Sequence, residues 1–381
     1  MKRIYLDHAA TTPMFPEVRE AMQPWLNEEF GNASSLYAEG RRAKDAIDEA
    51  RETLSDTLGC MFAEVLFTSS GTEAANLSII GAALCSSESK RNRVLLSAVE
   101  HHCVLHTRPI LERLGYAVSL VPVGKESVLD LDHFKSLLGD DVLLASVMQA
   151  NNETGAIQPV REASELCREH GVLFLCDAVQ TFLSHPNEHL VEKLDADLLA
   201  LSAHKINGPK GVGAIYIRAG VKLQPLALGG GQEREMRAGT ENVAGIVGFG
   251  HAVRAHIGCP ERMSVKGVLR QTFLEALDCE VELTCPHADT LSGHLHFRVP
   301  GIDAETMLIR LDRMGVSASS GAACSSGSLE PSHVLLACGY DARQAKEGLR
   351  FTFGWPGTVE ESVEAAKRVS ECVRSIRETS H

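Results

Sequence analysis

The sequence predicts an α/β fold built around a mostly parallel sheet. Short apolar runs alternate with helical spacings between residues 64 and 217, and such alternation requires crossover connections between parallel strands. Several of these runs end in polar residues, as at Glu100, Asn151 and Asp177. Because ligands bind at the carboxyl ends of parallel strands, the same observations predict a polar cleft at that edge of the sheet.

The composition is that of an ordinary globular protein. The chain has 381 residues, 44% hydrophobic and 23% charged, which is enough for a large core divided between two domains. A formal net charge of −13 argues against a broad phosphate-binding surface, so we expect no direct nucleic-acid binding. No apolar run is long enough to span a bilayer, and eleven cysteines without CxxC spacing suit reduced thiols. We therefore expect a cytoplasmic protein with no membrane association.

The elements can be placed in chain order. Residues 5–13 are too short and polar for a domain and are expected to form an extended arm, after which helical spacing extends to Leu58. The predicted elements that follow are strands at 64–68, 93–97, 117–123, 142–148, 172–179, 196–203 and 213–217, with helices at 104–114, 131–138 and 160–170 between them. This order is typical of a parallel sheet covered by helices on both faces.

The turn after strand 64–68 predicts an anion site. Gly71 and Thr72 begin a helix there, so backbone N–H groups and a hydroxyl would face a bound anion. The alternative is that Ser70 or Thr72 only caps the helix. The segment matches neither a Walker loop nor a GxGxxG fingerprint.

Lys205 stands at the exit of the apolar strand 196–203 and predicts covalent chemistry. Partial desolvation at that position would lower its pKa and favour the neutral amine, which condenses with aldehydes. Ser202 and His204 could donate hydrogen bonds to a phosphate, and pyridoxal 5′-phosphate (PLP) is a cofactor with both an aldehyde and a phosphate. The alternatives are that Lys205 is a surface lysine, or that Lys210 in the following turn is the reactive one.

Other strand exits offer partners for such a ring. Asp177 could face a pyridine nitrogen and keep it protonated, or could simply be a turn residue. His101 could stack on the ring and move protons, with an ordinary pKa suited to neutral pH. A metal site formed by His101, His102, Cys103 and His106 is the weaker alternative, because adjacent side chains point in different directions.

The last third of the chain predicts a second domain. The glycine-rich loop 229–242 contains Thr240, which could cap the next helix or reach a phosphate, and that helix ends near Gly258. Residues 15–257 are therefore expected to form a large domain, and residues 1–14 and 258–381 a smaller one. The smaller domain is predicted to contain a strand at 293–299, a helix at 305–314 and a strand at 348–354.

Two side chains of the smaller domain are candidates for substrate chemistry. Cys324 lies among small residues in a loop, so its thiol is either an idle exposed group or a reactive nucleophile. Arg350 lies in a predicted strand and could hold a substrate carboxylate by two hydrogen bonds, or form a structural ion pair.

The chain resembles the cysteine desulfurases of the NifS/IscS type, in the class V aminotransferase family of fold-type I PLP enzymes. The resemblance runs nearly end to end and implies a large domain with a mostly parallel seven-stranded sheet plus a smaller α+β domain. It is carried by YLDHAATTP (5–13), FGNASS (30–35), SSGTEAAN (69–76), VEHH (99–102), NNETG (151–155), DAVQ (177–180), SAHKINGPKGVGA (202–214), GGGQEREMRAGTEN (229–242) and SSGAACSSGSLEPSHVL (319–335).

The resemblance implies a role for each matching residue. Lys205 would be the Schiff-base lysine, Asp177 the pyridinium partner and His101 the stacking acid–base residue. Cys324 would receive sulfur from L-cysteine, leaving L-alanine, and pass it to an acceptor protein. The remaining implied contacts are Gly71, Thr72, Ser202 and His204 for the cofactor phosphate, Gln180 and Asn152 for the oxygen side of the ring, Arg350 and Asn152 for the substrate carboxylate, and Thr240 from the other subunit of a homodimer.

The chain departs from the family's pattern in two places, of which the first leaves the shape of the substrate pocket open and the second leaves the sulfur acceptor open. Arg350 is followed by FTFGWPGT, whereas the family usually has a Ser-Leu-Gly pattern there. The chain also lacks the longer tail with which housekeeping members dock an iron–sulfur scaffold, so tRNA thiolation or DNA phosphorothioation systems are alternatives. The alternative activities are a class V aminotransferase or a selenocysteine lyase, and a different class is a sulfur-carrier adaptor without catalysis.

Overall fold

The described strands form three sheets. The computed structural model describes residues 2–86, 90–184, 189–321 and 330–379. The strands are β1 (Ile4–Tyr5), β2 (Val65–Thr68), β3 (Arg93–Ser97), β4 (Ala117–Val121), β5 (Val142–Ser146), β6 (Leu173–Asp177), β7 (Leu198–Ser202), β8 (Gly213–Ile217), β9 (Glu282–Leu283), β10 (His294–Arg298), β11 (Val316–Ser317) and β12 (Gly348–Thr352).

Helices cover these sheets. They are α1 (Pro16–Leu26), α2 (Ala38–Leu58), α3 (Gly71–Cys85), α4 (His102–Leu105), α5 (Arg108–Arg113), α6 (Leu131–Leu137), α7 (Val160–Glu169), α8 (Leu190–Leu194), α9 (Val243–Gly258), α10 (Glu261–Ala276), α11 (Ala304–Arg313), α12 (His333–Ala337) and α13 (Val359–Thr379). Within the described ranges, none of them is long and apolar enough to cross a membrane.

The largest sheet confirms the predicted α/β class. Its strand order is β2-β8-β7-β6-β5-β3-β4, with β8 antiparallel to both neighbours and the other pairs parallel. Strands β5 and β7 are buried along their whole length, because apolar clusters pack on both faces of the sheet. The sheet thus positions several strand exits at one edge.

One predicted helix is divided in two. Residues 104–114 were expected to form a single helix, but α4 ends at Leu105 and α5 begins at Arg108. Pro109 explains the break, since proline has no N–H to donate to the carbonyl of residue 105 and its ring would clash with it. The short helix α4 leaves His101 at its N-terminal end, beside the cleft.

A separate apolar cluster joins the two ends of the chain. Ile4 and Leu6 pack with side chains from α10, β10, β12 and α13, and β1 pairs in parallel with β11. Strands β12, β10 and β9 form an antiparallel sheet in that order. We propose that this cluster marks the smaller domain, formed by residues 1–14 and 258–381, while residues 15–257 form the larger one.

A buried ion pair holds the glycine-rich loop in place. Glu233, Arg234 and Glu235 all have positive φ, at 45°, 57° and 66°, which is unfavourable for residues other than glycine. Glu233 accepts hydrogen bonds from Arg51 Nη2 at 2.6 Å, from Arg51 Nη1 at 2.8 Å and from the backbone N–H of Phe67 at 2.8 Å. These bonds fix the strained segment against β2.

We expect Glu233→Gln to lower the free energy of unfolding by about 3–5 kcal/mol, because it leaves the buried Arg51 guanidinium without a counter-charge. The matched control is Glu235→Gln, which alters an exposed neighbour in the same strained run and should change stability by less than about 0.5 kcal/mol. Urea unfolding of the two variants measures the difference. Equal losses would show that the ion pair has no particular role.

Candidate active site

A cavity of about 230 Å³ lies at the carboxyl edge of the large sheet. Most of the sequence-predicted site residues line it together, as the parallel topology requires. They are Gly71, Thr72, His101, Asn152, Asp177, Gln180, Ser202, His204 and Lys205. The same cavity also contains Ala10 of the N-terminal arm, so the predicted extended arm forms part of its wall.

Lys205 lies one short turn beyond β7, where the predicted strand exit places it. Its Nζ donates hydrogen bonds to the carbonyl oxygens of Ala10, at 2.9 Å, and of Ala9. Thr12 Oγ1 donates to the His204 carbonyl at 2.8 Å, which ties the arm to the same turn. The amine therefore points into the cavity against two backbone acceptors. Lys210, the local alternative, is exposed and does not line the cavity.

Asp177 ends β6 and is buried, with Oδ1 accepting a hydrogen bond from the Val179 N–H at 2.9 Å. Burial raises the pKa of this carboxyl to about 6, while the Val179 bond and the charge of Lys205 act in the opposite direction. A cation in the cavity would favour the ionised form further. The carboxylate therefore suits a protonated ring nitrogen.

Glu100 is a site neighbour to which the sequence assigned no role. Its carboxyl is fully buried and accepts a hydrogen bond from the Met148 N–H at 2.5 Å. Burial, and then the negative charge of Asp177, hold the pKa of Glu100 well above its ordinary value. Glu100 is thus the neutral acid of the pair, and Asp177 carries the charge. The available signal was an acid placed three residues beyond a buried strand, β3.

His101 is a neutral imidazole in this structure. Its Nδ1 accepts a hydrogen bond from the Cys103 N–H at 3.1 Å, so the ring proton of the neutral form is on Nε2. Burial, together with the charges of Lys205 and of nearby histidines, lowers the pKa of His101 to about 4. The sequence-based expectation of an ordinary pKa near neutrality is therefore wrong, because it ignored this desolvation.

The neighbouring histidines stack instead of converging. The His102 ring lies 4.7 Å from that of His106, nearly parallel to it, and 4.6 Å from that of His333. Among the described residues, no three His, Cys, Asp or Glu side chains form a group that could hold a metal ion. Instead of binding a metal, His102, His106 and His333 lie close to His101 and disfavour its protonated form.

Another group of lining residues suits a phosphate. Ser70 caps α3 by accepting a hydrogen bond from the Glu73 N–H at 3.2 Å, and Gly71 and Thr72 form the first turn. A Cβ on Gly71 would lie 2.6 Å from Val179 Cγ2, so only glycine fits this close approach. The helix N-terminus, Ser202 and His204 together supply donors and positive potential. Amine, carboxylate and anion cradle thus fit the aldehyde, ring nitrogen and phosphate of PLP.

Two predicted residues, Thr240 and Arg350, lie elsewhere. Thr240 is exposed and does not line the cavity of its own chain. Arg350 is buried in β12 and also does not line it; Nη2 donates to Asp7 Oδ1 at 2.7 Å, and Nη1 donates to the Asn152 carbonyl at 2.8 Å. Cys324 lies outside the described residues.

Comparison with known proteins agrees with this geometry. Residues 4–365 match the family model "Aminotransferase class-V". The cysteine desulfurase IscS of Dictyoglomus turgidum is 43% identical over 99% of this chain and 97% of its own length. A solved NifS-like protein superposes with a TM-score of 0.91 at 34% identity, covering 98% of this chain and 100% of that one. A structure described as SspA in complex with cysteine gives 0.81 at 30% identity, covering 92% and 98%.

The chain belongs to the class V aminotransferase family, whose cysteine desulfurases depend on PLP. Within that family it is a cysteine desulfurase of the IscS/NifS type, because relatives with that activity match it across nearly its whole length.

Proposed function

We propose that the cavity around Lys205 is where this enzyme converts L-cysteine to L-alanine, with Cys324 receiving the sulfur for delivery to an acceptor protein. The observation that carries the proposal is the convergence of an amine, a buried carboxylate and a helix N-terminus on one cavity. Each group matches a different part of PLP, and no one of them alone would specify it. When bound, the cofactor supplies a ring that accepts electrons from the substrate Cα.

The residues of the chain hold and orient this ring. Ser202, His204 and the α3 N-terminus with Gly71 and Thr72 would bind the phosphate, and Asp177 would hold the proton on the ring nitrogen. Gln180, whose Nε2 donates to the Ala9 carbonyl at 3.0 Å, and Asn152 would lie on the oxygen side. His101 would stack on the ring face.

Proton movement falls to Lys205 and His101. The Lys205 amine, once released from the cofactor, can take the proton from the substrate Cα, and its backbone acceptors Ala9 and Ala10 keep it oriented. His101 is neutral and presents Nε2–H as a donor. The Cys324 thiolate would then attack the substrate sulfur. The S–S bond of an enzyme persulfide forms as the Cβ–S bond breaks, and the electron pair stays on the carbon, which takes up a proton to become the methyl group of alanine.

Arg350 would bind the substrate carboxylate together with Asn152. Its guanidinium is buried, and its Nε has no hydrogen-bond partner among the described residues. The Asp7 carboxylate already occupies Nη2, so substrate binding at this arginine must compete with Asp7. The carbonyl of Asn152 keeps the guanidinium beside the cavity throughout.

The enzyme would act as a homodimer in which Thr240 reaches the partner's cofactor phosphate. Large apolar side chains are unusually exposed in the loop between α1 and α2 and just before the glycine-rich loop 229–242. They are Phe30 at 81%, Leu36 at 89% and Leu228 at 78%. Such exposure is typical of a covered interface. Thr240 does not line the cavity of its own chain, so in a dimer it could contribute to the phosphate site of the second chain.

We expect sedimentation velocity to give twice the chain mass of 41.2 kDa, and Phe30→Asp to shift the protein toward the monomer. The matched control is Val268→Asp on α10, where a side chain 54% exposed lies far along the chain from these loops. A monomeric wild type, or equal dissociation of the two variants, would contradict the proposed interface.

The test of the activity is alanine formation by the purified holoenzyme. L-cysteine and a thiol reductant should yield equal amounts of alanine and sulfide without any 2-oxo acid. A class V aminotransferase would require an amino acceptor, a selenocysteine lyase would act on selenocysteine and leave cysteine unchanged, and an adaptor would bind no cofactor and remain colourless.

The described cysteines are all free thiols, which supports the proposed cytoplasmic location.

A further inference from the structure

A second cavity adjoins the cofactor cavity and has a different lining. Its volume is about 60 Å³, and Lys205 and Gln180 line both cavities. The remaining lining comes from the N-terminal arm, from α9 and α10, from β10 and β12 with the turns beside them, and from the loops that follow β6 and Lys205. None of the steps proposed above uses this space.

The ionisable side chains that line the second cavity are all basic. Lys266, Arg262 and the rings of His8, His256 and His294 line it with Lys205, and its described lining contains no aspartate or glutamate. The charge of Arg262 is neutralised by Glu17, which forms an ion pair with it but does not line the cavity. The cavity therefore contains positive charge without a counter-ion from its own walls.

Lys266 is the centre of this charge. No ion pair joins it to any residue that the structure describes, and burial alone lowers its pKa to about 8. Its charge also adds to the effect of burial in lowering the pKa of His8 and His294. The charge of Lys266 thus disfavours protonation of these rings, and a bound anion would compensate that charge.

Two histidine ring nitrogens among the lining residues also lack a partner. His8 Nδ1 and His294 Nε2 are buried and have no hydrogen-bond partner among the described residues, and each residue is only 8% exposed. An unpartnered buried polar group costs about 1–3 kcal/mol, so a ligand that supplies the missing bond is favoured. A neutral imidazole can carry its proton on either nitrogen and so can donate from these positions.

We propose that this second cavity binds a small oxygen-bearing anion through Lys266, His8 and His294. The size of the cavity suits an inorganic oxyanion or the carboxylate of a small acid and excludes a nucleotide. The anion would lie beside Lys205, so its charge would act on the amine that the reaction uses. The site is distinct from the proposed phosphate cradle at Gly71, Thr72 and His204, none of which lines it.

Calorimetric titration of the holoenzyme tests the proposal, since bound PLP then fills the phosphate cradle. One arm uses sulfate and the other propionate, at constant ionic strength; propionate has no amine and cannot condense with the cofactor. We expect saturable binding of one anion per chain in at least one arm. The arm that binds identifies an inorganic oxyanion or a carboxylate as the ligand class.

Charge variants locate the site. Lys266→Met should weaken binding by at least about tenfold, Lys266→Arg should retain it, and Lys367→Met, which removes an exposed lysine on α13, should have no effect. Selenate soaked into wild-type crystals gives an anomalous signal that needs no variant and should appear beside Lys266. Absence of saturable binding in both arms, unchanged affinity in Lys266→Met, or selenate located elsewhere would overturn the proposal.

Discussion

Replacing Lys205 by alanine is expected to reduce alanine formation from L-cysteine by more than about 10³-fold. The side-chain amine of Lys205 points into the cavity, where it donates hydrogen bonds to two backbone carbonyls of the N-terminal arm. Without that amine, no group at this position can bond covalently to the cofactor or take the Cα proton. Alanine release, measured with and without added PLP, gives the size of the loss.

Lys210→Ala is the matched control, because this lysine lies five residues along the same turn but is exposed. Its activity should remain near that of the wild type. Borohydride treatment followed by peptide mass analysis should attach the cofactor to the Lys205 peptide in the wild type and in Lys210→Ala. Attachment at Lys210, or alanine formation that survives Lys205→Ala, would exclude the proposed role.

Replacing Cys324 by alanine is expected to lower sulfur transfer by at least about 100-fold while cofactor binding persists. The reason is chemical, since the substrate sulfur then has no thiolate to accept it. Alanine formation and enzyme persulfide, detected by cyanolysis, should fall together.

Cys85→Ala is the control for this experiment, because Cys85 is an exposed thiol at the end of α3 with no proposed role. It should transfer sulfur at the rate of the wild type. An aminotransferase would be indifferent to both changes, so unchanged turnover in Cys324→Ala would favour that alternative. Equal losses in the two variants would indicate a general sensitivity to thiol removal.

Much of the fold could be predicted because local periodicity specifies it. The alternation of apolar strands with helices predicted a mostly parallel sheet, and its strand exits correctly brought Lys205, Asp177 and His101 to one cavity. The antiparallel insertion of β8 between β2 and β7 left no comparable local signal, because pairing direction depends on the path of the whole chain.

The electrostatics of the site could not be predicted from residue types alone. His101 was expected to titrate near neutrality, but its burial among basic groups keeps it neutral. The Arg350–Asp7 ion pair joins residues 343 positions apart, so no spacing rule could reveal that the carboxylate is already engaged. The pKa of Glu100 is likewise raised by burial, and then by the charge of Asp177, both of which arise only in the folded chain.

The pairing of β1 with β11 has a consequence for biosynthesis. Ile4 lies opposite Val316, so the first strand to leave the ribosome waits for more than three hundred residues before its partner exists. The carbonyls of Ala9 and Ala10 that receive the Lys205 amine belong to this delayed segment. During translation the large sheet can form early, but the strand pairing that anchors the base of this arm forms only after Val316 and Ser317 have emerged.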